Sequence, residues 1–230
     1  MSTPNPAAPA AVLWDFDGTL ADTEPLWIEA EFELITTLGG TWSEEQADEL
    51  VGNSLIDSGT YILNAIGRRD LDPAWVVEQL LGRVVEFLAE RPMPWRPGAL
   101  ELLTSLREAG VPCGLVSASY RVLLDAALSQ LPAGTFAVSV AGDEVSEGKP
   151  HPEPYEKACA ELGVDAGRCV VIEDSVTGAR SGNAAGCLVL AVPNRVEVPS
   201  APRRRIVPSL TELDAAAVAV LLDQADDPAA

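Results

Sequence analysis

The 230-residue sequence predicts an α/β fold, a doubly wound parallel sheet with an inserted block of helices. Three observations predict it. From Pro97 onward, short apolar runs alternate with helical patterns, as in a chain of βαβ units. Residues 12–16 are apolar apart from Asp15, which suits a strand covered on both faces. Residues 22–91 show helical periodicity and no strand pattern. The chain therefore divides into a sheet-bearing core, residues 1–21 and 94–230, and a helical cap, residues 22–93.

Taken in order, the elements follow from local signals. Pro25 suits a first helical turn. Leu26, Ile28, Phe32, Leu34, Ile35 and Leu38 then give a broad apolar face that Gly39-Gly40 ends. Ser43-Glu-Glu-Gln46 reads as a capping box opening a short helix to Val51. Helices follow over 55–66 and 73–90, the second with Asp72 as N-cap. The proline-studded stretch 91–98 returns the chain to the core. There the order is helix 98–109, strand 111–116, helix 121–131 and strand 136–140. A proline-rich loop at 148–154 leads into a helix ending at Leu162. Strand 169–172, helix 176–185, strand 188–192 and a last helix over 210–222 complete a Rossmann-like order.

Composition narrows the function. A formal charge of −20 argues against nucleic acid and anionic membranes as partners, since both are polyanions. Cys113, Cys159, Cys169 and Cys187 are widely spaced in apolar surroundings, as buried thiols are, and form no CxxC pair. Residues 2–10 lack a cationic segment and an apolar run, and read as a frayed tail. No apolar stretch is long enough to span a bilayer, so the expected location is the cytoplasm.

The candidate site begins at Asp15 and Asp17. In an extended strand, residues two apart point the same way, about 6–7 Å from each other. Both carboxylates then converge on one spot, and Gly18 lets the backbone turn and offer N–H groups. Carboxylates this close imply a metal site or an acid/base pair, because like charges need a cation or a shared proton. The bland reading is an aspartate-rich turn. Two further strands also end in reactive residues, Ser117 and Glu173-Asp174, at the sheet edge where doubly wound folds bind ligands.

The longer string DFDGTLADTEP, residues 15–25, resembles the first motif of the haloacid dehalogenase-like phosphatases. Ser117 matches the second motif, Lys149 in Gly-Lys-Pro-x-Pro the third, and Glu173-Asp174 the fourth. The resemblance covers nearly the whole chain and is nearest to the β-phosphoglucomutase-like and sugar-phosphate phosphatases. It implies that Asp15 attacks phosphorus to form an acyl-phosphate, with Asp17 as general acid and base. It implies that Ser117 and Lys149 hold phosphoryl oxygens, helped by the Gly18 and Ala118 N–H groups. A carboxylate attacking a phosphoryl dianion meets repulsion, so Mg2+ is expected, with Asp15, Asp17, Glu173 and Asp174 as its ligand set. Ser119, Arg121, Trp27 and Asn53 are candidate contacts to the substrate. His151 reads as a turn residue.

The expected substrate is a small phosphorylated metabolite, and the oligomeric state is left open. A phosphomutase needs a second anion site, usually in the cap. Here Leu55 stands where an arginine would follow Gly52 in the β-phosphoglucomutases, and Arg68, Arg69, Arg83 and Arg91 are the only cations in residues 22–91. Hydrolysis of a phosphate monoester with a neutral sugar or polyol tail is therefore favoured over mutase action. A dehalogenase would not need Asp17, and a phosphonatase would need a cap lysine that is missing. A non-catalytic sugar-phosphate-binding role is the remaining alternative. Residues 20–24 and 91–97 are the expected hinges of a lid.

Overall fold

A computed structural model of the chain describes residues 8–50 and 53–225. Its sheet holds six parallel strands: β1 (Ala11–Trp14), β2 (Cys113–Val116), β3 (Val138–Val140), β4 (Cys169–Glu173), β5 (Leu188–Ala191) and β6 (Arg204–Ile206). They lie in the order β3-β2-β1-β4-β5-β6. Val12 of β1 stands opposite Cys113 on one side and Val170 on the other. The chain builds outward from β1 through β2 and β3, then crosses back to lay β4 against the free side of β1. The switch in strand order thus lies between β1 and β4, and their carboxyl ends open the crevice where such sheets bind ligands.

Alternation along β1 sends Val12 and Trp14 into one apolar cluster and Ala11 and Leu13 into another. The helices are α1 (Glu24–Thr37), α2 (Glu44–Asp48), α3 (Leu55–Ala65), α4 (Pro73–Glu90), α5 (Ala99–Glu108), α6 (Arg121–Leu128), α7 (Glu153–Leu162), α8 (Val176–Ala184) and α9 (Ala215–Ala225). Leu13 meets Tyr155, Ala158 and Ala179 from α7 and α8, while Val12 and Trp14 meet the apolar faces of α5, α6 and α9. Trp14, Phe16, Leu102 and Leu106 are fully buried, and each such side chain stabilises the fold by about 1.5–3 kcal/mol.

The block α1–α4 follows β1 and precedes α5. Its termini use the expected caps: Ser43 Oγ accepts from Gln46 N while Gln46 Oε1 accepts from Ser43 N, at 3.3 and 3.1 Å. Asp72 Oδ1 accepts from Ala74 N at 2.9 Å at the start of α4. The expected end of the second helix at Val51, like Gly52 and the tail at residues 1–7, lies outside the described residues. The two chain crossings run side by side. Ala21 pairs with Trp95 in an antiparallel bridge, Asp22 N donates to Pro94 O at 2.8 Å, and Arg96 N donates to Leu20 O at 3.0 Å. Asn194, from the loop after β5, joins both crossings through Arg96 Nη1 and Asp22 Oδ1 at 2.5 and 3.3 Å.

Two differences from the sequence reading have local causes. The edge strand β6, Arg-Arg-Ile, has no apolar run to announce it; buried Arg204 is satisfied by Asn183 Oδ1 and Pro199 O at 2.9 and 2.8 Å. The final helix starts at Ala215, because Ser209 caps a separate 3-10 turn over Leu210–Glu212 and Asp214 Oδ1 caps the helix through Ala217 N at 2.7 Å. The third strand starts at Val138, two residues later than expected. All four cysteines are buried thiols. No helix among the described residues is long and apolar enough to cross a membrane.

Candidate active site

The carboxyl ends of β1, β2 and β4 bring Asp15, Ser117, Glu173 and Asp174 to one place, and the loop before α7 carries Lys149 into it. The Lys149 ammonium, 5 % exposed, donates to Asp15 Oδ1 and Glu173 Oε1, each at 2.7 Å, and to Val116 O at 2.9 Å. Burial works against that ammonium, but the charges and hydrogen bonds of Asp15 and Glu173 outweigh it and hold the proton more firmly than usual. Glu173 is saturated. Its Oε1 also accepts from Tyr155 Oη at 2.9 Å, and its Oε2 from Ser175 Oγ and N at 3.0 and 3.2 Å. Gly178 makes this possible, since a Cβ there would overlap the Glu173 carboxylate.

Asp15 is fastened at one oxygen only. Its Oδ2 is buried and has no hydrogen-bond partner among the described residues. Burial, reinforced by Glu173, raises its carboxyl to about 7 despite Lys149. Asp174 is pushed well above the ordinary carboxylate range by burial and then by the charges of Asp15 and Glu173; Thr19 Oγ1 donates to its Oδ1 at 3.2 Å. Ligand oxygens of Asp15, Glu173 and Asp174 lie within 4.8 Å of one another. An unpartnered buried oxygen inside three crowded acids is the donor set of a hard divalent cation, so the residues present fit one. The four donors on Glu173 leave Asp15 and Asp174 as the better placed carboxylates.

Asp17 is half-buried and held from two directions. Ser117 Oγ and Ser119 Oγ, from the core, donate to its Oδ2 at 3.1 and 2.8 Å. Thr23 Oγ1 and Trp27 Nε1, at the start of α1, donate to its Oδ1 at 2.7 and 3.3 Å. In this arrangement its carboxylate accepts from four donors, while its carbonyl oxygen accepts no hydrogen bond from a described residue. Between the strand ends and α1–α4 lies a cavity of about 280 Å³. Asp15, Asp17, Ala118, Ser119, Lys149 and Asp174 line one side, and Glu24, Trp27, Glu31 and Asn53 the other.

Two expected site residues are placed otherwise. Gly18 has φ +88° and its N–H donates to Ala21 O at 2.8 Å, so it closes the turn instead of facing a phosphate. A Cβ there would overlap the Asp174 carboxylate, which accounts for the glycine. Arg121 turns away from the cavity: its guanidinium is held by Glu144 at 2.6 Å and by Ser139 Oγ and O at 2.9 Å. Its position at the start of α6 puts it beside the acidic turn 142–144 and β3, which take up its guanidinium. Asn53 lines the cavity but is exposed, its Nδ2 donating to Glu49 O at 2.9 Å. His151 is a surface turn residue paired with Glu147 at 2.9 Å.

Tyr155 and Glu31 also belong to the surroundings of the site and went unremarked in the sequence, while Thr23 and Glu24 were read only as part of the first motif and the hinge. Glu24, Trp27 and Glu31 share one helical face, a spacing that could have revealed them once Trp27 was singled out. Burial raises Glu31 to about 8, against the Trp42 hydrogen bond, and raises Glu24 to about 7. A carboxyl raised by folding stabilises the protein while protonated, so the Glu31 contribution is whole below about 4.5 and disappears as pH rises through about 8. Glu31→Gln is expected to flatten the fall in stability from about pH 5 to about pH 9. Thermal melts of both proteins across that range check this, and parallel curves would contradict it.

The model of the haloacid dehalogenase-like hydrolases matches residues 12–192. Hexitol phosphatase B of Escherichia coli (strain K12) is 33% identical over 228 residues, covering 94% of this chain and 98% of the relative. CbbY from Rhodobacter sphaeroides, solved in complex with xylulose-(1,5)bisphosphate, is similar with a TM-score of 0.77 at 30% identity, covering 89% of this chain and 96% of that one. A β-phosphoglucomutase from Clostridium difficile shares the fold, with a TM-score of 0.80 at 22% identity over 94% of this chain and 98% of its own. A match over residues 12–192, joined to acids at the ends of β1 and β4 and a lysine between them, shows that the chain belongs to the haloacid dehalogenase-like hydrolases.

Proposed function

We propose that the chain is a Mg2+-dependent phosphatase acting on a small sugar or polyol phosphate. The observation that carries this reading is the lining of the cavity: Lys149, locked between Asp15 and Glu173, is its one cationic side chain among the described residues. One cation at the strand ends suits one phosphoryl group. Three of the four cap arginines pair at the surface, Arg68 with Asp70, Arg83 with Glu33 and Arg91 with Glu29, and Arg69 does not line the cavity. A phosphomutase would need a second anion site on that side. Hexitol phosphatase B, similar over 94% of the chain, agrees with a polyol phosphate as substrate.

In this reading Asp15 attacks phosphorus, the bond to the sugar oxygen breaks, and Asp17 gives its proton to that oxygen. Asp17 then takes a proton from the water that attacks the phosphoryl-Asp15, which releases phosphate and restores both carboxyls. The Ala118 N–H holds a phosphoryl oxygen, joined by Ser117 Oγ once that hydroxyl turns from Asp17, and Lys149 keeps Asp15 aligned through both steps. Asp15, Asp174 and the Asp17 carbonyl would hold a Mg2+ ion, which would offset the negative charge that gathers in the transition state. A swing of α1–α4 about residues 20–24 and 91–97 would admit substrate and then exclude water.

Phosphate release from sugar, polyol, glycolate and nucleotide monophosphates, with Mg2+ and with EDTA, tests the proposal. Release that requires the metal and favours neutral sugar or polyol monophosphates is expected. Conversion of β-glucose 1-phosphate to the 6-phosphate in the presence of a bisphosphate primer, without release, would replace hydrolysis by mutase action.

A further inference from the structure

The hydrolysis uses the strand-end side of the cavity, yet the opposite wall carries two carboxyls that it does not need. Glu24, Trp27 and Glu31 recur at the spacing of one helical face and form a stripe along α1. Trp27 sets the phase of that stripe, because its Nε1 is bonded to Asp17 Oδ1 at 3.3 Å. At ~1.5 Å per residue, Glu31 stands about 6 Å farther along the axis than Trp27. That offset corresponds to several carbon–carbon bonds, the reach of a substrate's non-reacting end.

Glu31 is only 5 % exposed but faces the cavity. Trp42 Nε1 fixes its Oε2 at 3.0 Å, and Trp42 is braced edge-on by Tyr61 with ring centroids 6.1 Å apart. Oε1 accepts no hydrogen bond from a described residue. Glu24 likewise lines the cavity, with the Arg195 charge nearby but no hydrogen bond to its carboxyl among the described residues. Ser58, 9 % exposed, adds a hydroxyl from α3 to the same wall. Apolar Leu80 and Val77 complete it, so a ligand there meets hydrogen-bonding groups in a dry setting where an unmade bond is expensive.

We infer that Glu31 and Glu24, assisted by Ser58, read the hydroxyl groups of a neutral, polyhydroxylated substrate tail and exclude tails that end in a second anion. This rests on the phosphatase reading above. A carboxyl donates when protonated and accepts in either state, which matches a hydroxyl that does both. Burial, which raises Glu31 to about 8 and Glu24 to about 7, keeps Glu31 largely protonated and Glu24 about half protonated near pH 7, which weakens their repulsion of the incoming phosphate. A carboxylate or second phosphate on the tail would force them to stay neutral, and the nearby cation, Arg195, is paired with Asp48 at 3.2 Å and does not line this wall.

Steady-state kinetics of the full chain with Mg2+ on sorbitol 6-phosphate, 2-phosphoglycolate and methyl phosphate tests the inference. Glu31→Leu is expected to lower kcat/KM for sorbitol 6-phosphate by about tenfold or more relative to methyl phosphate, mainly through KM, the scale of a lost buried hydrogen bond. Glu31→Gln, which keeps an acceptor and a donor, is expected to recover most of that ratio. Glu24→Arg, at a less buried position, should move the preference toward 2-phosphoglycolate by about tenfold, since it supplies the missing cation. Equal losses on sorbitol 6-phosphate and methyl phosphate, or unchanged preferences in both the Glu31→Leu and Glu24→Arg proteins, would overturn the inference while leaving the phosphatase intact. Failure of the unaltered chain to release phosphate from any of the three would overturn the phosphatase reading and this inference with it.

Discussion

Asp15→Asn is expected to remove phosphate release from every monophosphate by at least about a thousandfold, the scale of losing a nucleophile from an otherwise intact site. Asparagine keeps the shape of the side chain and an oxygen for the Lys149 ammonium, which reaches Asp15 Oδ1 at 2.7 Å. It lacks the anionic oxygen that bonds to phosphorus. The variant should also melt no lower than the parent near pH 8, because burial and Glu173 already disfavour the charged form and raise Asp15 to about 7. By linkage, the contribution of a carboxyl so raised is complete below about 3.8 and lost as pH climbs through about 7. Single-turnover assays with excess enzyme, together with thermal melts, check both halves. Activity within tenfold of the parent would remove Asp15 from the centre of the chemistry.

Lys149→Ala should damage stability as well as rate. The side chain is 5 % exposed and separates two carboxyls that are themselves 9 % and 0 % exposed, Asp15 and Glu173. Removing one member of a buried ionic group strands the others, at a cost of about 3–5 kcal/mol. The stranded carboxyls can escape by taking up protons, so the deficit should be smaller near pH 5 than near pH 8. Turnover should fall by about 10²–10³, the usual loss when a preorganised charge is taken from a reacting centre. Denaturant melts at the two pH values and phosphate-release rates test this. A deficit that is equal at both, or absent, would mean that Lys149 does not neutralise the acids around it.

The clustering of the candidate residues was legible because each ends a strand whose apolar run is unmistakable: Asp15 after Ala11–Trp14, Ser117 after Cys113–Val116, Glu173 and Asp174 closing or following Cys169–Glu173. Chain direction and strand order then deliver them to one edge. The strand β6 was illegible for the opposite reason, since Arg204 is buried through hydrogen bonds rather than apolar area. Gly18 shows a subtler limit. Its flexibility was readable, but whether its N–H faces a ligand or closes a turn onto Ala21 depends on a φ of +88° that sequence does not specify. Arg121 failed because a long cation beside Glu144 follows the nearer charge. The roles of Thr23, Glu24 and Glu31 stayed hidden because they depend on how α1 is seated over the strand ends, a matter of tertiary placement.

The pairing of Ala21 with Trp95 has a consequence for how this chain can diversify. The inserted helices leave and rejoin the core at the same spot, their ends already bonded to each other. Exchanging that cassette for another of different length adds little loop-closure entropy, which grows only slowly with length, and leaves the strand-end acids and Lys149 untouched. Under the proposed function, substrate choice and chemistry would be carried by separable pieces of the chain, so that one could be rewritten while the other is kept.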